Sequence, residues 1–316
     1  MTVLKTMRIF YYIMFGLWYL LSLLPLRVHY FFSDVVLYPL LFHLMGYRRK
    51  VVQDNLKGSF PEKSDRELAS IERDFYHFLC DYMVETIKTF TMSKQQMMRR
   101  MTFSGLDELM VAMEREQKQF CFVYLGHYCN WEWIASMPYW VSADYHCAQI
   151  YHRLRNAEMD ALFLRLRNRY GGECIAMKET LRRIIEIKRS GQKEIIGFIS
   201  DQAPKWNSIH HWCDFFHRET PVFIGTEKIG KQVDALVYFA EVKRVKRGYY
   251  RCDLKPITHE IKQIPDFELT DTFTHLLEQM IKEQPAYWLW SHKRWKRTKD
   301  EWIERQKNVE GHEKAS

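Results

Sequence analysis

Eighteen consecutive uncharged residues, Ile9 to Leu26, dominate the start of the hydrophobic pattern. As a helix they extend about 27 Å, near the roughly 30 Å hydrocarbon thickness of a bilayer, with Lys5, Arg8 and Arg27 at the two boundaries. Gly16, Ser22 and Pro25 weaken the stretch, so it reads as a membrane anchor helix with an ordinary buried helix as the alternative. A second apolar stretch, Val28 to Met45, carries His29, Asp34 and His43, which suits an interfacial or re-entrant segment better than a second span. No small-x-small cleavage site follows, which argues against a signal peptide. Arg48, Arg49 and Lys50 then mark the exit onto a cytoplasmic surface. The chain accordingly divides into an anchor and interfacial segment, 1–50, and a globular domain, 51–316.

Beyond the anchor the period changes. Ser64-Asp65-Arg66-Glu67 is a capping box, and Leu68, Ile71, Phe75, Leu79, Tyr82, Met83, Ile87 and Phe90 recur behind it at helical spacing. The pattern then alternates: helix near 105–118, strand 119–125, helix near 130–141, strand 145–151, helix 156–169, strand 173–177, helix 178–190 and strand 194–200. Such alternation predicts an α/β fold, a mixed but largely parallel sheet flanked by helices. Two further strands, 235–242 and 249–255, flank the basic turn Lys243 to Gly248 and are expected to pair as an antiparallel edge. The segment from Asp201 to Pro221 reads as one long irregular loop, at the strand ends where open sheets carry function.

Composition narrows the classes. A chain of 316 residues with 47% hydrophobic content can bury a large core, which excludes disordered and repeat architectures. The net charge of +8 favours an acidic partner: an anionic membrane face, a phosphorylated lipid, an acidic carrier protein or a nucleic acid. Seven scattered cysteines with no C-x-x-C pair read as small buried hydrophobes in a reducing compartment.

The candidate chemistry sits after the run Phe120 to Leu125, where Gly126-His127 is followed five positions later by Glu132. Chance alone gives about 1.6 His-x4-acid pairs in this composition, so context must discriminate. His29 with Asp34 has the same spacing but no preceding strand. His127 reads either as a general base with Glu132 holding its tautomer, or as a strand-end histidine satisfying a carbonyl. Cys129 is close enough to be weighed as a nucleophile, although the His-Tyr-Cys spacing does not suggest it. Arg153, Arg155, Arg165, Arg167 and Arg169 cluster around Asp160. Guanidinium forks suit phosphate and acyl oxyanions, so one or two of these five are expected to point into the site, with Arg153 and Arg169 among the substrate-binding candidates. Asp201 ends a strand and is either a site carboxylate or a loop cap. Pro285 to Arg297 interleaves aromatics with cations, as a lipid headgroup interface or a single-stranded nucleic-acid site would. With no Gly-rich phosphate loop and no zinc spacing, neither cofactor nor metal is called for.

Taken in order, Asp54 to Glu62, Gly126-His127 with Glu132, Tyr151 to Arg169, Ser200-Asp201-Gln202, Asp214-Phe215-Phe216 and Pro285 to Arg297 resemble the lipid A biosynthesis lauroyl/myristoyl acyltransferase family, the late acyltransferases of Gram-negative bacteria. The resemblance implies an inner-membrane enzyme whose glycerophosphate-acyltransferase-like domain, 51–316, faces the cytoplasm. It would transfer a fatty acyl group from acyl carrier protein to a hydroxyl of a lipid A precursor, in contact with anionic membrane lipids and without nucleic acid. His127 matches the family's catalytic histidine, Glu132 its acidic partner, Arg167 a site arginine and Asp201 the aspartate after the strand. The chain departs from the usual pattern at Tyr151-His152-Arg153, where Tyr-Arg-Pro is common, and at Ser200-Asp201-Gln202-Ala203, where Pro-Asp-Gln-Asp is common. Two alternatives stay open: a lysophospholipid or other glycolipid acyltransferase, and a non-catalytic basic protein bound to membranes. Against the first, Phe60-Pro61-Glu62 precedes the histidine, whereas the similar glycerolipid-acyltransferase motif follows it.

Overall fold

A computed structural model describes the backbone of residues 2–313 and the side chains of residues 12–307. Nine strands occur among them: β1 (Met101–Ser104), β2 (Phe120–Leu125), β3 (Tyr145–Tyr151), β4 (Glu173–Ala176), β5 (Lys193–Ile199), β6 (Trp212–Asp214), β7 (Glu219–Pro221), β8 (Leu236–Lys246) and β9 (Tyr249–Thr258). Seven form one sheet in the order β1-β9-β8-β2-β5-β3-β4, and β6 and β7 pair separately as a hairpin. Strands β8, β2, β5, β3 and β4 are mutually parallel, while β9 and β1 run the other way.

The expected alternation from 119 to 200 is present, and the sheet is largely parallel and flanked by helices. All six residues of β2 are buried because both faces of a parallel sheet are covered. Its alternate side chains divide: Phe120 and Phe122 join a core under the helix Thr180–Ser190, while Cys121, Val123 and Leu125 join the larger core on the opposite face.

Three expectations need correction. The helix expected near 130–141 is one turn, Trp131–Ile134, followed by a tight turn at Met137–Tyr139 that contains Pro138, a residue without the amide hydrogen a continuing helix needs. The antiparallel pair, β8 and β9, is not the sheet edge, because the short β1 adds outside β9 through Met101↔Tyr250. Four residues are too few to show a period. The loop from Asp201 to Pro221 holds the β6–β7 hairpin, not irregular chain alone. The helices Arg49–Ser59, Lys94–Arg100, Gly225–Val233, Glu268–Glu283 and Lys299–Glu313 lie in parts of the chain the sequence pattern left unassigned.

At the N-terminus the uninterrupted stretch expected to Leu26 stops with the helix Thr2–Leu23. Pro25 then sits at the N-cap of Leu26–Phe32, and π-helical turns follow at Ser33–Leu37 and Pro39–Leu44. Among the described residues no single helix is long and apolar enough to cross a membrane; Tyr12–Leu23 and Leu26–Leu44 meet that test only together, bent by 112°. Lys5 and Arg8, expected at a membrane boundary, have side chains outside the described set.

The bent pair packs on the helix Asp65–Lys88, whose Ser64/Glu67 capping box is formed. That helix is buried on more than one stripe, and its polar inner residues find partners. Lys88 donates to the carbonyls of Ser22 and Leu24, Ser33 to Asp81, and Tyr30 to Glu85, while Asp34 pairs with Arg247.

Candidate functional site

The parallel register of β2 with β5 determines which groups meet at the rim of the sheet. Leu125 lies opposite Ile199, so the residues two places beyond each strand, His127 and Asp201, emerge side by side. His127 Nδ1 is 2.6 Å from Asp201 Oδ1, and the backbone N–H of His127 donates to Oδ2 at 2.8 Å. The ring keeps 19% of its surface exposed, whereas the Asp201 side chain keeps 2%. Burial alone would raise the Asp201 carboxyl, yet the charge of His127, the hydrogen bonds from its ring and backbone, and a bond from Trp288 hold it down at about 2. An ionised Asp201 accepting from Nδ1–H leaves Nε2 with a lone pair facing outward, where the Gln202 side-chain nitrogen lies 3.3 Å away.

Gly126 makes this closeness possible. A methyl group there would stand 2.7 Å from Leu277 and 3.3 Å from the Asp201 carboxylate. The loop after it is clamped by the C-terminal aromatic segment: Leu289 N–H donates to His127 O at 3.1 Å, and Cys129 N–H to Tyr287 O at 2.9 Å. Trp288 Nε1 donates to Asp201 Oδ2 at 2.8 Å. Trp288 and Trp290 are therefore core residues, not the headgroup-facing indoles their sequence context suggests. Asn130 caps the short helix Trp131–Ile134 and is itself held by Glu85, 2.7 Å away, whose carboxyl burial pushes up to about 7 despite hydrogen bonds from Asn130, Tyr30 and Tyr250.

Glu132 makes no hydrogen bond or ion pair with His127 among the described residues. It lies in the first turn of Trp131–Ile134 and is bonded to Arg167 in a two-pronged ion pair, with Nε at 2.8 Å and Nη2 at 2.6 Å. The carboxylate that steadies the histidine is thus Asp201, and Glu132 instead positions an arginine. Substituting Glu132→Gln should lower stability by about 3 kcal/mol, because it breaks a largely buried ion pair, while costing less activity than loss of Asp201. Denaturant unfolding in detergent, paired with a rate measurement, checks both parts.

Arg167 borders an apolar cleft between the sheet and the 131–138 segment. Leu125, Trp131, Ile195 and Ile199 form its walls, and Gly197 on β5 adds no side chain to its floor. Trp131, which lines the cleft, has its ring centre 5.3 Å from that of His127 and so joins the cleft wall to the dyad. Arg153 and Arg169 neither line it nor bond to the dyad. Arg153 is 62% exposed and pairs with Glu179, and Arg169 donates to the carbonyl of Met92. Cys129 is fully buried at φ +51°, and burial pushes its thiol well above the ordinary value, the reverse of what a thiolate nucleophile needs.

Trp288, Gln202 and Gly126 were readable only as parts of motifs. Their contacts with the dyad depend on chain segments far apart in sequence.

The site is defined by a histidine–carboxylate pair on the rim of a parallel sheet, above an apolar cleft, with the neighbouring Cys129 unsuited to act as a nucleophile. That combination suits transfer chemistry on a substrate with an apolar part. The chain belongs to the bacterial lipid A biosynthesis acyltransferase family, which matches residues 1–297. It is an acyltransferase with a role in lipid A biosynthesis, and its family implies a lipid A precursor as acceptor. Comparison with curated proteins finds no match.

Proposed function

We propose that this protein transfers a fatty acyl group directly from the thioester of acyl carrier protein to a hydroxyl of a lipid A precursor, with His127 as general base and no covalent enzyme intermediate. The observation that carries the reading is the His127–Asp201 pair beside the apolar cleft. His127 Nε2 takes the proton of the acceptor hydroxyl as its oxygen attacks the thioester carbonyl. The C–O bond forms, the C–S bond breaks, and the proton passes to the departing thiolate. Asp201 keeps the ring in the required tautomer and stabilises the imidazolium. Arg167, held by Glu132 at the cleft wall, supplies positive potential to the tetrahedral oxyanion. The acyl chain lies in the apolar cleft, where each buried methylene is worth about 0.8 kcal/mol.

The bent N-terminal pair supports residence at the inner membrane, with the sheet on the cytoplasmic side and anionic lipids beneath it. Phe31 is 68% exposed, Leu20 64% and Leu44 80%, an apolar surface a lipid phase would cover. The direct test is acyl transfer by the purified, detergent-solubilised chain, read by mass spectrometry. Acyl carrier protein thioester with a lipid A precursor should yield a product one acyl mass heavier, and lysophosphatidic acid should not replace the precursor. Acylation of lysophosphatidic acid alone would overturn the acceptor assignment.

A further inference from the structure

Outside the 153–169 cluster, two arginines are withdrawn from solvent without an anionic partner. Arg167 and Arg244, both largely buried, are paired with Glu132 and Asp81. Arg294 is 2% exposed, yet neither it nor Arg218 makes an ion pair among the described residues. Arg294 makes one hydrogen bond, from Nη2 to Pro221 O at 2.9 Å, and its Nε and Nη1 have no partner. Arg218 donates from Nη2 to Ser59 Oγ at 2.6 Å and more weakly to Asn55 O, and its Nε is likewise unpartnered.

The faces of both guanidiniums are occupied. Arg218 lies 3.3 Å over the Trp295 ring, Trp295 stacks on Phe215, and Arg294 lies 5.9 Å from the Phe215 ring centre. Cation–π contact uses the flat face and leaves the in-plane N–H edges unused, and those edges are the ones that grip an oxyanion in two-pronged fashion. Arg48, Lys293, Lys296 and Arg297 add like charge around them. Asp201 is the carboxylate whose charge reaches Arg294, and it is already bonded to His127 and Trp288. An uncompensated buried charge is costly, so a set of this kind is expected to meet an anion.

We infer that Arg294 and Arg218 form a receptor for a phosphoryl group of the substrate, next to the His127–Asp201 pair. The inference rests on the proposed acyl transfer only for the source of that group: a phosphate on the glycolipid acceptor, or the phosphodiester of the carrier's pantetheine arm. A phosphoryl group fits because its two or more non-bridging oxygens, sharing its negative charge, can meet two guanidinium edges at once. The β6–β7 hairpin and the 291–297 turn border the site, joined by Arg294 to Pro221 O and by Trp295 Nε1 to Thr220 Oγ1.

The test uses the full chain in detergent. Sodium phosphate should raise the unfolding temperature of wild type by roughly 3–8 °C in a saturable way, against sodium chloride at matched ionic strength. Arg294→Met should abolish that rise while leaving the phosphate-free unfolding temperature unchanged or higher, since it removes a charge without a partner. Arg218→Met should weaken the rise. Kinetics then separates the sources. Arg294→Met raises KM at least roughly tenfold for a phosphorylated acceptor but not its dephosphorylated form, or for a phosphopantetheinyl thioester but not its pantetheinyl counterpart. An indifferent wild type, an undiminished shift in Arg294→Met, or variants that unfold even without phosphate each overturn the receptor. A phosphate shift that is lost in the variant while neither KM moves means an adventitious ion only, and overturns it too. Because the thermal arm needs no turnover, its failure is distinct from failure of the catalytic assignment.

Discussion

Replacing His127 with alanine is expected to lower the rate of acyl transfer by about 10²- to 10⁴-fold while the protein still folds. The ring is partly exposed and its side chain makes one strong contact, to Asp201, so its removal leaves a small gap at the rim and not a hole in the core. The backbone N–H of residue 127 still reaches Asp201, because that bond does not involve the side chain. Single-turnover rates on the purified variant, with unfolding curves beside them, are the measurement. A folded His127→Ala protein working within about threefold of wild type would remove His127 from the chemistry.

Asp201→Asn has the second large effect, a loss of about 10⁴-fold in kcat. The carboxylate accepts from Nδ1–H of the ring, from the backbone N–H of His127 and from Trp288 Nε1. An amide can place its nitrogen toward the ring and stabilise the tautomer whose Nε2 carries the proton, which is useless for abstraction. The same substitution changes the response to acid. Asp201 sits at about 2, below its ordinary 3.8, because His127 and three hydrogen bonds outweigh burial. A depressed carboxyl contributes its full stabilisation above the unfolded value and loses it as pH falls through the folded value. Wild type therefore loses about 2 kcal/mol relative to Asp201→Asn between roughly pH 4 and pH 2. Urea unfolding of both proteins across that window gives the difference directly; parallel curves would mean that Asp201 is not held ionised by the histidine.

Much of the architecture was legible because hydrophobic period is local. The six buried residues of β2 read as a continuous apolar run, the capping box at Ser64 announced its helix, and the strand ends at Gly126 and Ser200 delivered polar residues to one rim. Elements with weak local signals were not legible: β1 with four residues, the β6–β7 hairpin, and the break after Ile134. The aromatics of 285–297 pointed outward in sequence logic, since cations separate them. In the fold the indoles of Trp288 and Trp290 turn inward, beside the loop that carries His127.

What the sequence determined by itself was the succession of helices and strands, and the presence of His127, Glu132, Arg167 and Asp201 at their ends. It could not say which of these touch. Glu132 is five residues from the histidine, but helical direction carries its side chain toward Arg167, while Asp201, 74 residues away, arrives because β5 pairs beside β2. Sheet order and register are long-range outcomes of burying the whole apolar surface at once. The tertiary structure alone therefore decided which carboxylate meets the imidazole, and which arginines remain without one.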